Sequence, residues 1–364
     1  MADTPTITKP SDTRLAALRA SFAEAGIDGL LVTAAPNVRY LSNFSTPQDG
    51  RVLVTRDKAI LLTDSRYTVQ TAEESWLEVV ILPPETRRNW QGYVVEQVGG
   101  TLGIEASSMT VADYQAFKTK TDTSPKPTLN LIEHLRRIKS EDEIDALRRA
   151  AKLTDEAFTY ILNVVKPGVR EIDVALELEM YMRKRHAEDK SFDIIVASGP
   201  RSAMPHGVAS DKVIEAGDLV TMDFGALVDG YHADLTRTVA VGELSPSHTR
   251  MYEAVLEAQQ AALAALGPGK QGKDVDSVAR DVLKKYDLAD YFVHSLGHGV
   301  GLYIHEQPSL SQQQEVTLTP GMVVTVEPGV YIPNDAGVRI EDLVVITQDG
   351  IELLSHSDKT LITL

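Results

Sequence analysis

Apolar positions along the chain change rhythm near residue 140. Before it, short β-prone runs at Leu30–Thr33, Val52–Val54, Ile60–Thr63 and Val79–Leu82 alternate with helical spacing over 66–76, 89–98 and 111–119. A further strand is predicted over 101–106, and Arg56-Asp57-Lys58 reads as a hairpin turn. Ahead of these, Leu15, Leu18, Phe22 and Ala23 form the stripe of one helix over 11–26, capped by Ser11 or Asp12 and stopped by Gly26. Residues 121–128 (TDTSPKPT) read as a connector. From Ser140 the spacing becomes that of a long helix. Ser140-x-x-Glu143 is a capping-box pattern ahead of Ile144, Leu147, Ala151, Phe158, Ile161 and Val165, and Pro167-Gly168 ends it. The expectation is an α/β domain over 1–138 and a second domain over 139–364.

In the second domain, Leu219 to Met222 read as a strand leading into Asp223, with Gly225 and Gly230 supplying turn chemistry. The chain returns through Tyr231 and Asp234 to Val239, a hairpin with a carboxylate on each arm. The plan recurs: GMVVTVEPG at 321–329 repeats GDLVTMDFG at 217–225, so Asp223 maps to Glu327, and the second hairpin returns through Val338, Arg339 and Ile340 to Glu341. Upstream, PGKQGKDV at 268–275 repeats PGVREIDV at 167–174. Long-period similarity of this kind predicts two αβ halves related by a pseudo-two-fold axis, each donating one carboxylate-bearing hairpin to a central site. The fold class is α+β.

Composition narrows the chemistry. With 364 residues, 43% hydrophobic and 24% charged, the chain is long enough for about two domains and reads as an ordinary globular protein. A net charge of −16 argues against a nucleic-acid partner. There is no cysteine, so a metal site must use His and carboxylate. No apolar run reaches the ~18 residues of a membrane span, and MADTPTITKP lacks the basic-then-apolar pattern of a signal peptide. A cytoplasmic location is expected.

The candidate ligands are Asp223, Asp234, His298, Glu327 and Glu341. His298 lies in SLGHGVG, where flanking glycines permit close approach. Each residue alone has a plainer reading: a strand Asp is usually a salt-bridge partner, and a lone His a satisfied structural one. Together, with the carboxylates paired by a repeat, they form a hard, oxygen-rich set suited to two divalent cations about 3.5–4 Å apart. His206, in SAMPHG, and His305, in YIHEQP, could donate to a carbonyl oxygen or shuttle a proton. Arg339 lies two residues before Glu341, on the same strand face, and could orient a carboxylate or a substrate.

The ordered set PHG, TMDFGALVDGYHAD, SLGHGVGLYIHE, TVEPG and VRIED resembles the pita-bread metallopeptidases, in the aminopeptidase P and prolidase branch. NVRYLSNF, LLTDSRY and RRIKSEDEIDALRRAA resemble the same branch, so the likeness covers nearly the whole chain. The resemblance implies a C-terminal pita-bread domain behind a creatinase-like N-terminal domain, and Asp223, Asp234, His298, Glu327 and Glu341 as ligands, with Asp234 and Glu341 bridging. It implies Glu327 as general base, His206 and His305 as substrate-holding histidines, and Tyr231 and Arg339 as supporting positions. It further implies manganese, with cobalt or zinc as substitutes, peptides with proline in second position as substrates, and a homodimer or larger oligomer.

Such a bond is a tertiary amide with no N–H, which defeats peptidases that need that donor. Within the branch, prolidases often place an Arg shortly after the second pocket histidine. Here His305 is followed by Glu306-Gln307-Pro308-Ser309. That departure favours an Xaa-Pro aminopeptidase acting on longer peptides over an Xaa-Pro dipeptidase, although Arg39 or Arg51 could supply another carboxylate clamp. Methionine aminopeptidase shares the ligand set, but the N-terminal domain and the PHG loop argue against it. A metal-free creatinase-like hydrolase and a non-catalytic peptide-binding module would lack ligands that are all present here.

Overall fold

The computed structural model describes residues 10–364. The chain divides into two compact units, one ending at Arg136 and the other running Arg137–Leu364. In the first, the β-prone runs form a six-stranded mixed sheet in the order Glu78–Ile81, Ala59–Thr63, Arg51–Thr55, Gly29–Val32, Leu102–Glu105, Lys126–Thr128. The hairpin at Arg56-Asp57-Lys58 pairs Val54 with Ala59. Leu31, Leu53 and Ile104 of the sheet pack with Trp90, Val94 and Phe117 of the helices.

Two local expectations need correction, and one element was not expected. The single helix over 11–26 is two, Pro10–Ala20 and Phe22–Ala25. At the break the Ser21 hydroxyl donates to Leu18 O at 2.7 Å, a side chain competing with the helical ladder. Ser11 and Asp12 lie inside the first helix and Ala23 is exposed, while Gly26 stops the second at a φ of 61°. The connector contains the edge strand Lys126–Thr128, where Pro127 is tolerated because an edge needs fewer donors. The helix Ala35–Ser42 has no counterpart in the elements expected from sequence. Pro36 sits in its first turn, where no N–H is needed. The buried Glu105 carboxylate accepts from Thr33 N, Ala34 N and Asn37 Nδ2 at 2.6–2.7 Å, which anchors the start.

The second unit opens with the helix Glu141–Ile161, whose capping box has Ser140 N donating to Glu143 Oε2 at 3.0 Å. Two halves follow. In one, the sheet Leu235–Ala240, Leu219–Phe224, Ile195–Ser198 packs with the helices Glu141–Ile161 and Glu171–Arg183. In the other, the sheet Glu306–Leu310, Gly297–Gly299, Val323–Val326, Asp342–Ile346, Ile351–Leu353 packs with the helices Pro246–Ala265 and Gly272–Lys285.

Strand alternation decides which face each residue takes. Val220, Met222 and Phe224 enter the first core, so Thr221 and Asp223 face away from it. Val324 and Val326 enter the second core, so Thr325 and Glu327 face away. Each buried apolar side chain contributes ~1.5–3 kcal/mol, and a one-residue slip would exchange the two faces. The register is therefore fixed by the core. Thr236 lies opposite Asp223 and Leu235 opposite Phe224. The two hairpins then join through their polar faces: Glu341 N donates to Thr236 O at 3.1 Å, and Thr238 Oγ1 donates to Arg339 O at 3.0 Å.

Gly225 ends the first carboxylate strand because nothing larger fits: a Cβ there would lie 1.9 Å from Ala233 O. Gly225→Ala is expected to cost at least about 2 kcal/mol, the scale of overpacking against backbone. Chemical denaturation checks this, and an unchanged midpoint would refute the tight crossing.

Candidate metal centre

The two hairpins and the Gly297–Gly299 strand open onto a cavity of about 650 Å³. Eight of the nine residues singled out from sequence line it: Asp223, Asp234, His298, Glu327, Glu341, His206, His305 and Arg339. Ligand-capable atoms of Asp234, His298 and Glu341 lie within 4.8 Å of one another, and His298 Nε2 lies 3.4 Å from both Asp234 Oδ2 and Glu327 Oε1.

Three of the five groups, His298, Glu341 and Asp223, are held at one atom and leave another free, while the Glu327 oxygen held by Thr325 is the one that also faces His298. His298 Nδ1 is 3.0 Å from Gly299 O, so Nδ1 carries a proton and Nε2 is the atom that faces the carboxylates. Thr236 Oγ1 donates to Glu341 Oε2 at 2.7 Å, and Thr325 Oγ1 donates to Glu327 Oε1 at 3.2 Å. Arg339 Nη2 donates to Asp223 Oδ2 at 2.6 Å. The second oxygens of two carboxylates, Asp223 Oδ1 and Glu341 Oε1, are buried with no hydrogen-bond partner. Buried carboxylate oxygens without a donor are costly, and a cation is the partner that these two oxygens, the neighbouring Asp234 and Glu327 carboxylates and the His298 imidazole fit. The glycines beside His298 let this strand sit close to its neighbours: a Cβ on Gly297 would lie 2.0 Å from Thr325 O, and one on Gly299 would lie 2.5 Å from Gln307 O.

Burial dominates the electrostatics. It pushes the Asp234 carboxyl up to about 7 against the His298 hydrogen bond, and it raises Glu341 well above the carboxylate range with help from Asp234. It also raises Asp223, although the Arg339 guanidinium opposes it. Burial disfavours charge on His298, but the Asp234 hydrogen bond and the Glu327 charge win and push that imidazole up to about 9. His305 meets His298 edge-on at 4.4 Å; lost solvation and then the His298 charge hold it below the usual histidine range.

Tyr231 does not join this group. It is absent from the cavity lining, and its hydroxyl donates to Glu143 Oε1 at 3.0 Å. Three positions separate it from Asp234, and an odd spacing on extended backbone favours the opposite face. Tyr331, overlooked in the sequence, does not line the cavity either but braces two residues that do. Its hydroxyl accepts from Arg339 Nη1 at 2.6 Å and lies 3.0 Å from Nε2 of the cavity-lining His294, also overlooked. His294 Nδ1 in turn is 2.8 Å from Ser295 O, so Nε2 accepts from the phenol. Gly329 was the available signal: a Cβ there would lie 2.4 Å from Tyr331 Oη, so the glycine of TVEPG makes room for that ring.

Because Asp234, Glu341 and Asp223 titrate above their ordinary values, the folded protein holds more protons than the unfolded chain between about pH 4 and 7. Stability of chelator-stripped protein should therefore fall as pH rises through that window. The raised His298 carries the same sign toward about 9. A divalent ion binds the ionised forms, so the gain in melting temperature on adding Mn²⁺ should widen between pH 5 and pH 8. A gap that stays constant across this range would contradict the arrangement.

Comparison with known proteins agrees with this geometry. Residues 145–348 match the model for metallopeptidase family M24, and residues 14–138 match the creatinase/prolidase N-terminal domain. An Xaa-Pro dipeptidase of Pyrococcus furiosus is 41% identical over 350 residues, covering 96% of this chain and 99% of that protein. The solved Xaa-Pro dipeptidase from Bacillus anthracis superposes with a TM-score of 0.94 at 45% identity, covering 97% of this chain and all of that one. The X-Pro aminopeptidase from Thermotoga maritima superposes at 0.87 with 34% identity, covering 95% of this chain and 100% of that one. With both segments matched and the carboxylate–histidine cluster in place, the chain belongs to metallopeptidase family M24, a metallo-exopeptidase of the pita-bread fold.

Proposed function

We propose that this protein hydrolyses the bond before proline as an Xaa-Pro dipeptidase, using two divalent ions held by Asp223, Asp234, His298, Glu327 and Glu341. The observation that carries the reading is the pair of partnerless buried oxygens, Asp223 Oδ1 and Glu341 Oε1, at a cavity also lined by Asp234, His298 and Glu327. Manganese is the ion assigned first, with cobalt or zinc as substitutes. Bound there, such ions polarise a carbonyl oxygen and supply a nucleophilic water at neutral pH.

The chain's own groups do the rest. Glu327 takes a proton from the attacking water and returns it to the proline nitrogen as the C–N bond breaks. His206 and His305 line the cavity and are exposed, so their N–H groups can reach the carbonyl oxygen as negative charge develops on it. Arg339 is 2% exposed and spends its donors on Asp223, Thr236 Oγ1, Pro205 O and Tyr331 Oη. It therefore orients Asp223 more than it reaches for substrate.

The sequence favoured an aminopeptidase because no basic residue follows His305. The relatives at 41% and 45% identity carry the dipeptidase name, and the aminopeptidase neighbour stands at 34%. The dipeptidase reading is the better supported of the two. Comparing kcat/KM for an Xaa-Pro dipeptide and the matching Xaa-Pro-Xaa tripeptide with Mn²⁺ loaded decides between them: the dipeptide should win by at least tenfold, and the reverse order would restore the aminopeptidase. Turnover of neither would end both readings.

His305→Ala should lower kcat/KM by about 10²-fold, the scale of one general acid–base or oxyanion donor. Metal content measured by elemental analysis should not change. Parallel loss of metal and activity would move His305 into the ligand set.

A further inference from the structure

The largest fully buried side chain in the described residues is an arginine, Arg237, 1% exposed. It lies between Leu235 and Val239, which both enter the first core, so alternation aims it away from the metal-facing side of its strand. All five of its N–H donors are used. Nη1 donates to Thr236 O at 3.0 Å and to Glu341 O, and Nη2 to Asp342 Oδ1 and Ser357 O, both at 2.8 Å. Nε donates to Asp358 O at 3.1 Å. Asp342, 0% exposed, also accepts from Gln259 Nε2 at 2.8 Å and from Lys359 Nζ.

The fold does not demand this ion pair. The repeat that relates Asp234 to Glu341 relates Arg237 to Val344 and Asp342 to Leu235, and both counterparts are ordinary core residues. A buried ion pair is weak support for stability, since apolar residues of similar size serve as well. What distinguishes the pair is its place. Thr236 is the residue whose hydroxyl holds Glu341 Oε2 and whose carbonyl accepts from Glu341 N, and it lies opposite Asp223. Arg237 thus grips the backbone on both sides of the joint between the two ligand-bearing hairpins.

We propose that Arg237, with Asp342 and Lys359, is a positioning cluster that sets the Glu341 carboxylate against Asp234 and His298, and so sets metal affinity. This rests on the ligand assignment above. The guanidinium fixes the joint with planar, directional donors from behind, and residues 357–359 close the far side of the clamp.

The test measures Mn²⁺ affinity by chelator competition on folded protein. The variants are Asp342→Asn and the milder Lys359→Met, with Leu178→Ala as a core control chosen for a comparable loss of melting temperature. Outer partners of ligands typically contribute 10–100-fold in metal affinity, so Asp342→Asn should weaken binding at least tenfold and Lys359→Met a few-fold, while Leu178→Ala leaves it unchanged. Affinity that is unaltered in Asp342→Asn, or that falls equally in the core control, would overturn the proposal. If Asp342→Asn does not fold, unaltered affinity in Lys359→Met overturns it. Wild-type protein that binds no divalent ion would instead defeat the ligand assignment, a distinguishable failure.

Discussion

Four carboxylates and an imidazole share one desolvated space, and the catalytic unit is built around that constraint. Two unit charges 4 Å apart repel by about 4 kcal/mol at an effective dielectric near 20, and several such pairs meet here. The rise of Asp234 to about 7 is the local expression of burial first and of that repulsion second. What resists it is the register of the carboxylate strands. Val220, Met222 and Phe224 on one strand, and Val324 and Val326 on the other, each contribute ~1.5–3 kcal/mol and reach their cores only in the observed phase. The acidic residues have no alternative but to face each other.

Register alone places Cα atoms; it does not aim oxygens. Aim comes from hydrogen bonds to individual atoms: Thr236 on Glu341, Arg339 on Asp223 and the Gly299 carbonyl on His298 each pin one atom and free another, while Thr325 steadies the Glu327 oxygen that faces His298. Hydrogen-bond partners of this kind fix the tautomer and orientation of the groups they hold. The two threonines come from opposite halves of the repeat, so each half aims a carboxylate of the second hairpin by its own route.

What could be read from sequence follows the same division. The repeat of GDLVTMDFG as GMVVTVEPG and the period-two alternation were enough to find the hairpins and their acids, because register is encoded locally. Tyr231 was grouped with the site on motif proximity, which says nothing about which face a side chain takes across a twisted turn, and it does not line the cavity. Tyr331 was missed because its place depends on a long-range contact with Arg339 and His294. In the first unit, Ala35–Ser42 was missed because its start is held by Glu105, some 70 residues away in sequence. Arg237 would pass in sequence as a solvated strand residue; only the structure puts it beside Asp342.

The departures from symmetry then show what one half holds that the other does not. Aligned through PGVREIDV and PGKQGKDV, Glu171 of the first half corresponds to Gly272 of the second. Gly272 is a close-packed position, where a Cβ would meet Val316 at 2.9 Å. Glu171 is wholly buried and accepts from Ser198 N at 2.8 Å, Arg201 Nε at 2.9 Å and Ser210 Oγ at 2.6 Å. Those partners stand at both ends of the loop that carries His206 to the cavity. One carboxylate, placed where the other half has no side chain at all, thus turns a connection into a fixed arm. The duplicated acids provide what a pair of cations needs. The unduplicated pieces, this loop among them, bring an exposed imidazole to the same cavity, the donor that the proposed hydrolysis assigns to the peptide carbonyl.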